Sequence, residues 1–217
     1  GLDIYGQYKL AGLLRQLVNI DGLQWIRLLY CYPTAITPEL IQVIAREDKI
    51  CKYIDLPLQH VSNKLLRLMN RQGYKEDYLD LIKKMRAKIP GLTLRTTFMV
   101  GFPGETNAEF MELLDFIKEV KFERMGVFTY SREEGTPASL MPGQVPEEVK
   151  RSRLQKAMML QQQISYTINC NKIGRNLEVL VEGFDEELQK YKGRSQSDAP
   201  EIDGQVYFNF SGHIDLG

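Results

Sequence analysis

One stretch, LRTTFMVGFPGET from Leu94 to Thr106, restricts the fold of this chain more than any other part of it. It opens with β-branched and apolar residues and passes through Gly101, Pro103 and Gly104. It then reaches Thr106, with Glu109 three positions later and an apolar helical pattern beyond. That order specifies a strand, a glycine turn and a helix closed by a reciprocal cap. In parallel α/β proteins the turn after a strand's carboxyl end is where ligands bind, because helix amides converge there on the open end of the sheet. The glycines let the backbone approach something flat or bulky, and Pro103 stiffens that approach. A tight strand-to-helix turn without a ligand satisfies the same residues equally well.

The same alternation runs along the chain. Leu10, Leu13, Leu14, Leu17 and Val18 mark an amphipathic helix that ends near Gly22. Trp25 to Tyr32 reads as a strand stopped by Pro33. Thr37 before Pro38 is a helix cap with proline at the first helical position, and Leu40, Ile41 and Ile44 form its buried stripe. A second strand, Tyr53 to Leu58, delivers Gln59 and His60 at its carboxyl end. Ser62 caps a short helix, a longer one carries Tyr78 to Ile89, and Met125 to Tyr130 is a fourth strand.

Strand, turn and helix thus recur at spacings of roughly 30 to 40 residues, which predicts an α/β fold of βαβ units. Four strands cannot close an eight-stranded barrel, and the chain opens on a helix with no strand before it. We therefore expect a fragment, with the later half of a partial β/α (TIM-like) barrel at residues 1–142. A connecting helix at 143–172 carries Val149, Leu154, Met158, Ile164 and Ile168, with Gln161, Gln162 and Gln163 on its polar side. From 173 to 217 the pattern changes to period two (Val179, Val181; Val206, Phe208, Phe210), which predicts a truncated all-β module.

Composition narrows the class. The 217 residues are 43% hydrophobic and 26% charged, as in an ordinary globular protein, and no apolar run is long enough to span a membrane. No secretory signal is present, so the expectation is a cytoplasmic chain with no membrane partner. Cys31, Cys51 and Cys170 lie far apart, without metal-ligand spacing, and read as buried or inert thiols. The formal charge is zero but uneven: from Ile173 onward nine acidic residues face four basic ones. Such asymmetry bears on partners and not on fold.

Gln59, Gly101 and Tyr130 close successive predicted strands, on the face where barrels build their sites. His60 beside them suits a base, a hydrogen-bonding group or a structural role. Arg95 and Thr97 share one face of the central strand, and an inward arginine requires an anion, either a ligand's or a neighbouring carboxylate's. The glycine stretch is neither a Walker loop nor GxGxxG, so phosphate binding has little support.

Four segments, YIDLPLQH, LRTTFMVGFPGET, YSREEGTPA and GRSQSDAPEIDG, together resemble the methylthiotransferase branch of the radical S-adenosylmethionine enzymes. Of its two types, the RimO type modifies an aspartate of ribosomal protein uS12 and the MiaB type an isopentenyl-adenosine in tRNA. WIRLLYCYP, the histidine after LPLQ and GRSQSDAPEIDG resemble the former. The resemblance implies a partial barrel, a C-terminal β module called TRAM, S-adenosylmethionine as cofactor, and 4Fe-4S clusters held by ligands that this sequence lacks. No CxxxCxxC loop is present, so the resemblance points to no metal ligand and no catalytic residue in this sequence, and the 217 residues alone are expected to be inactive.

By the same resemblance Val100, Gly101 and Phe102 match the strand end that packs against adenine. Gln59, Arg95, Thr97 and Tyr130 are expected to complete the cofactor's lining. The acidic module suits uS12, a basic protein, as partner and argues against tRNA, whose phosphates call for a basic surface. The alternatives are the tRNA-modifying type, or a module that grips a ribosomal protein or RNA without chemistry.

Overall fold

The computed structural model describes residue 4, residues 6–212, and residues 214 and 216. β1 (Ile26–Leu28), β2 (Ile50–Asp55), β3 (Thr93–Val100) and β4 (Arg124–Thr129) form one parallel sheet in that spatial order. α1 (Leu10–Leu17) precedes it, and α2 (Pro38–Arg46), α3 (Asn63–Leu68), α4 (Lys75–Lys88) and α5 (Asn107–Val120) connect its strands. α6 (Pro137–Leu140) and the long α7 (Glu147–Cys170) follow. β5 (Val179–Asp185), β6 (Lys190–Ser195) and β7 (Val206–Phe208) form a separate antiparallel sheet. An α/β half-barrel with an appended β module is the architecture the sequence predicts.

Strand alternation divides β3 between two environments. Leu94, Thr96, Phe98 and Val100 are fully buried. Phe98 packs edge-on against Phe116 of α5 at 6.4 Å and Phe122 at 5.9 Å between ring centroids, which locks α5 to the sheet. The other face presents Arg95, Thr97 and Met99. Thr106 and Glu109 cap α5 as expected: Glu109 Oε2 accepts from the Thr106 amide at 2.8 Å, and Thr106 Oγ1 accepts from Ala108 N at 3.2 Å.

Several boundaries differ from the sequence reading. The first strand is three residues long, not eight, because Tyr30 takes a left-handed φ of 55° and turns the chain, its amide bonded to the Asp55 carboxylate at 3.0 Å. The second strand begins at Ile50 and ends at Asp55. Pro57 then lacks the donor a ladder needs, and pairing resumes only at Gln59, whose N–H donates to the Thr97 carbonyl at 2.8 Å. Ser62 stands at the start of α3 but its side chain makes no cap; its amide donates to His60 Nδ1 at 3.0 Å. β6 escaped the reading because KYKGRS has no apolar alternation. It is nevertheless the central strand, and a Cβ on Gly193 would lie 2.1 Å from the Leu180 carbonyl oxygen. Cys51 is buried and Cys31 half-buried, but Cys170, the last residue of α7, is exposed.

α7 is the largest correction. Its most buried residues include Lys150, Arg153 and Gln161, while Met158, expected in the stripe, is exposed. The polar side chains reach carbonyls that the sheet leaves open. Lys150 Nζ donates to Tyr130 O at 2.9 Å, Arg153 Nη1 to Glu105 O at 3.2 Å, and Gln161 Nε2 to Phe122 O at 2.8 Å.

The β module is anchored on the sheet by GRSQSDAPEIDG. Arg124 donates to Asp198 Oδ1 at 2.5 Å and Arg27 to Gln196 O at 2.6 Å, and Tyr53 donates to Asp203 Oδ2 at 2.6 Å. Ala199 packs against Cys51 and Tyr53. Burial pushes the Asp198 carboxyl upward, but hydrogen bonds from Arg124 and Ser195 and the arginine's charge outweigh it and hold the group below its ordinary value of 3.8. A carboxyl depressed in the folded state contributes stability that is complete above the unfolded pKa and is lost as pH falls through the folded one. Stability to urea is therefore expected to fall below about pH 4, and D198N to be less stable at neutral pH with a flatter acid dependence. An unchanged acid limb in D198N would refute this assignment.

Candidate functional site

At the carboxyl ends of β2 and β3 a cleft of about 400 Å³ opens between the turn after α3, the glycine turn and α6. Met69, Met99, Phe102, Ala138 and Met141 provide its apolar walls, and Gln59, Asn70, Arg71 and Thr136 its polar ones. Two of these residues are held in the left-handed region without being glycine, Gln59 at φ 68° and Asn70 at φ 54°. Such backbone costs of order 1–3 kcal/mol and clusters at ligand sites. Behind the wall Phe102 meets Tyr130 edge-on at 5.3 Å, and the buried Tyr130 hydroxyl has no hydrogen-bond partner among the described residues.

The sequence-predicted residues divide into three groups. Gln59 and Phe102 line the cleft, with Tyr130 in the apolar cluster behind it. Arg95 and Thr97 lie deeper: Arg95 Nη1 donates to Asp55 at 3.2 Å and to Thr97 Oγ1 at 3.3 Å, and its Nε is 3.5 Å from Asp203. The anion that Arg95 requires is thus supplied by two carboxylates of the chain itself. Val100 points into the core on the other face, and its carbonyl accepts from the Tyr130 amide at 2.9 Å. Gly101 has φ 77°, and a Cβ there would stand 2.3 Å from Lys150 Cγ, so what its bare backbone approaches is α7.

Sequence reasoning missed Glu105, Lys150 and Arg153, which secure this turn. Glu105 is buried, accepts from the Gly101 amide, and pairs with Arg153 at 3.3 Å. Its place in GFPGET was the available signal, overlooked beside the more conspicuous glycines. The methionines of the cleft gave no sequence signal, because they come from three separate segments. A larger groove lies elsewhere, between α2 and α4 and away from the strand ends, walled by Ile41, Ala45 and Leu81.

The chain belongs to the radical SAM superfamily, which it matches over residues 4–117, and residues 173–217 match the TRAM domain. It is similar to the ribosomal protein uS12 methylthiotransferase RimO of Pelotomaculum thermopropionicum, with 56% identity over 100% of this chain and 49% of the relative. The protein of that name from Heliobacterium modesticaldum is 53% identical over 96% of this chain and 45% of its own length. The chain thus spans about half the length of the curated relatives it matches. Among solved structures, Escherichia coli coproporphyrinogen III oxidase (HemN), described as a radical SAM enzyme, shares the fold at a TM-score of 0.57. Identity there is 20%, covering 72% of this chain and 36% of that one.

Proposed function

We propose that this chain, within a protein of its relatives' length, belongs to a radical S-adenosylmethionine methylthiotransferase that modifies the β-carbon of an aspartate of ribosomal protein uS12 in the cytoplasm. The observation that carries this reading is identity above 50% over 96–100% of the chain to proteins named for that activity. The cleft supports it. Its volume suits a nucleoside-sized ligand, its thioether and aromatic walls suit an adenine face, and Gln59, Asn70 and Thr136 offer hydrogen bonds for ribose or amino-acid groups. The Tyr130 hydroxyl is a buried polar group in want of a partner at the same end of the sheet.

When bound, S-adenosylmethionine supplies the methyl group and, with a 4Fe-4S cluster, the oxidising equivalent for hydrogen abstraction. The described residues contain no group of three His, Cys, Asp or Glu side chains able to hold a metal, so they supply no holder for that cluster. What this chain contributes is binding and orientation. Phe102 and the methionines exclude water from one side of the ligand, and Gln59 presents a polar end to it. Arg95 and Thr97, tied to Asp55 and Asp203, form a rigid floor.

The acidic side chains of the β module are not all free to meet a partner. Asp198 and Asp203 are consumed in docking the module, and Asp215 lies outside the described residues. Glu178, Glu182, Asp185, Glu186, Glu187 and Glu201 remain against Arg175, Lys190, Lys192 and Arg194, still an acidic balance suited to a basic ribosomal protein.

The test is anaerobic reconstitution of the full-length protein with iron and sulfide, followed by incubation with uS12 and mass spectrometry. One methylthio group on an aspartate is expected, with none on tRNA and no product from the 217 residues alone. Modification of tRNA in place of uS12 would overturn the assignment.

A further inference from the structure

Two buried polar atoms face each other beside the cleft with nothing between them. His60 Nε2 and Glu105 Oε1 lie 3.7 Å apart, both side chains are fully buried, and neither atom has a hydrogen-bond partner among the described residues. The rest of each group is engaged. His60 Nδ1 accepts from the Ser62 amide at 3.0 Å, and a ring nitrogen that accepts carries no proton. In that arrangement the ring is neutral and its proton sits on Nε2, on the Glu105 side. The other Glu105 oxygen accepts from the Gly101 amide and pairs with Arg153. The Glu105 amide closes the turn by donating to Phe102 O at 3.0 Å.

His60 follows Gln59 directly, and Glu105 ends the turn that carries Phe102, so this facing pair joins two walls of the cleft. The gap exceeds an ordinary N–H···O bond by about half an ångström, and hydrogen bonds at such sites often tighten only once the ligand is in place.

We propose that His60 is a positioning residue: its Nε2–H donates a hydrogen bond to Glu105 when the cleft fills, and so fixes the Gly101 turn and Phe102 against the ligand. The identity of that ligand rests on the function proposed above; the pairing of His60 with Glu105 does not. In the full-length protein, ¹⁵N-histidine spectra of the wild type, with the His60 signal assigned by its loss in H60Q, read the tautomer directly. The neutral Nε2–H form is expected, and a ring protonated on Nδ1 would overturn the proposal.

In the full-length protein, glutamine at this position keeps an N–H where Nε2 was, whereas asparagine is too short to reach Glu105. S-adenosylmethionine binding by H60N is therefore expected to weaken about tenfold, the worth of one such bond, with H60Q close to wild type. Equal affinities in H60N and wild type would also overturn it. If the wild type fails to bind S-adenosylmethionine at all, the functional reading falls, and the tautomer still decides the fate of the contact.

Discussion

Replacing Phe98 with alanine is expected to destabilise the parallel domain by about 3–5 kcal/mol, the range for removing a large aromatic side chain from a packed core. Phe98 is fully buried on the central strand and touches Phe116 of α5 and Phe122 of the following loop. Those two rings also contact each other, with centroids 6.1 Å apart. Truncation leaves a cavity at the joint of three segments, and the aromatic geometry contributes a further fraction that leucine cannot restore. Urea unfolding followed by far-ultraviolet circular dichroism measures the loss. A cost under about 1 kcal/mol, the range of volume-conserving swaps, would mean that α5 is held by something other than this cluster.

The second large effect falls on the docking of the β module. Asp203 accepts from Tyr53 at 2.6 Å and from the Ala199 amide at 2.9 Å, and stands 3.5 Å from Arg95. Its side chain is 3% exposed. In D203A the Tyr53 hydroxyl loses its acceptor and Arg95 loses one of two counter-charges. Removing one partner from a buried pair typically costs 3–5 kcal/mol; because Asp55 remains beside Arg95, the lower end, about 3 kcal/mol, is expected. The loss should be local. Hydrogen exchange should accelerate in β6, in the 195–203 segment and in β7, while the amides of β3 and α5 stay protected. Uniform acceleration across both sheets would show that docking and barrel folding are one event, contrary to this expectation.

The two variants probe different kinds of legibility. The environment of Phe98 could be read from the chain, because a strand of alternating burial followed by a capped amphipathic helix is a local pattern. Each of its signals, from the β-branched run to Thr106 and Glu109, lies within a few residues of the next. Asp203 could not be read that way. GRSQSDAPEIDG was recognisable as a segment, and its acids were counted as surface charge. Yet Tyr53 lies 150 positions from Asp203, and Arg124 lies 74 from Asp198. The candidate site shows the same division: Gln59, Gly101 and Tyr130 follow from strand ends, whereas the methionine walls and the Glu105 anchor follow from neither period nor composition.

Local signals in the chain specify the four strands of the parallel sheet in their order, the helices between them and the capped glycine turn. Propensity, periodicity and capping act between near neighbours, so these were open to reading. Packing in three dimensions, by contrast, buried Lys150, Arg153 and Gln161, set Asp55 and Asp203 against Arg95, and used the bare Gly101 to make room for a lysine. Each of those outcomes satisfies a buried donor, acceptor or charge with a partner remote in the chain, and no local pattern records which remote group that will be.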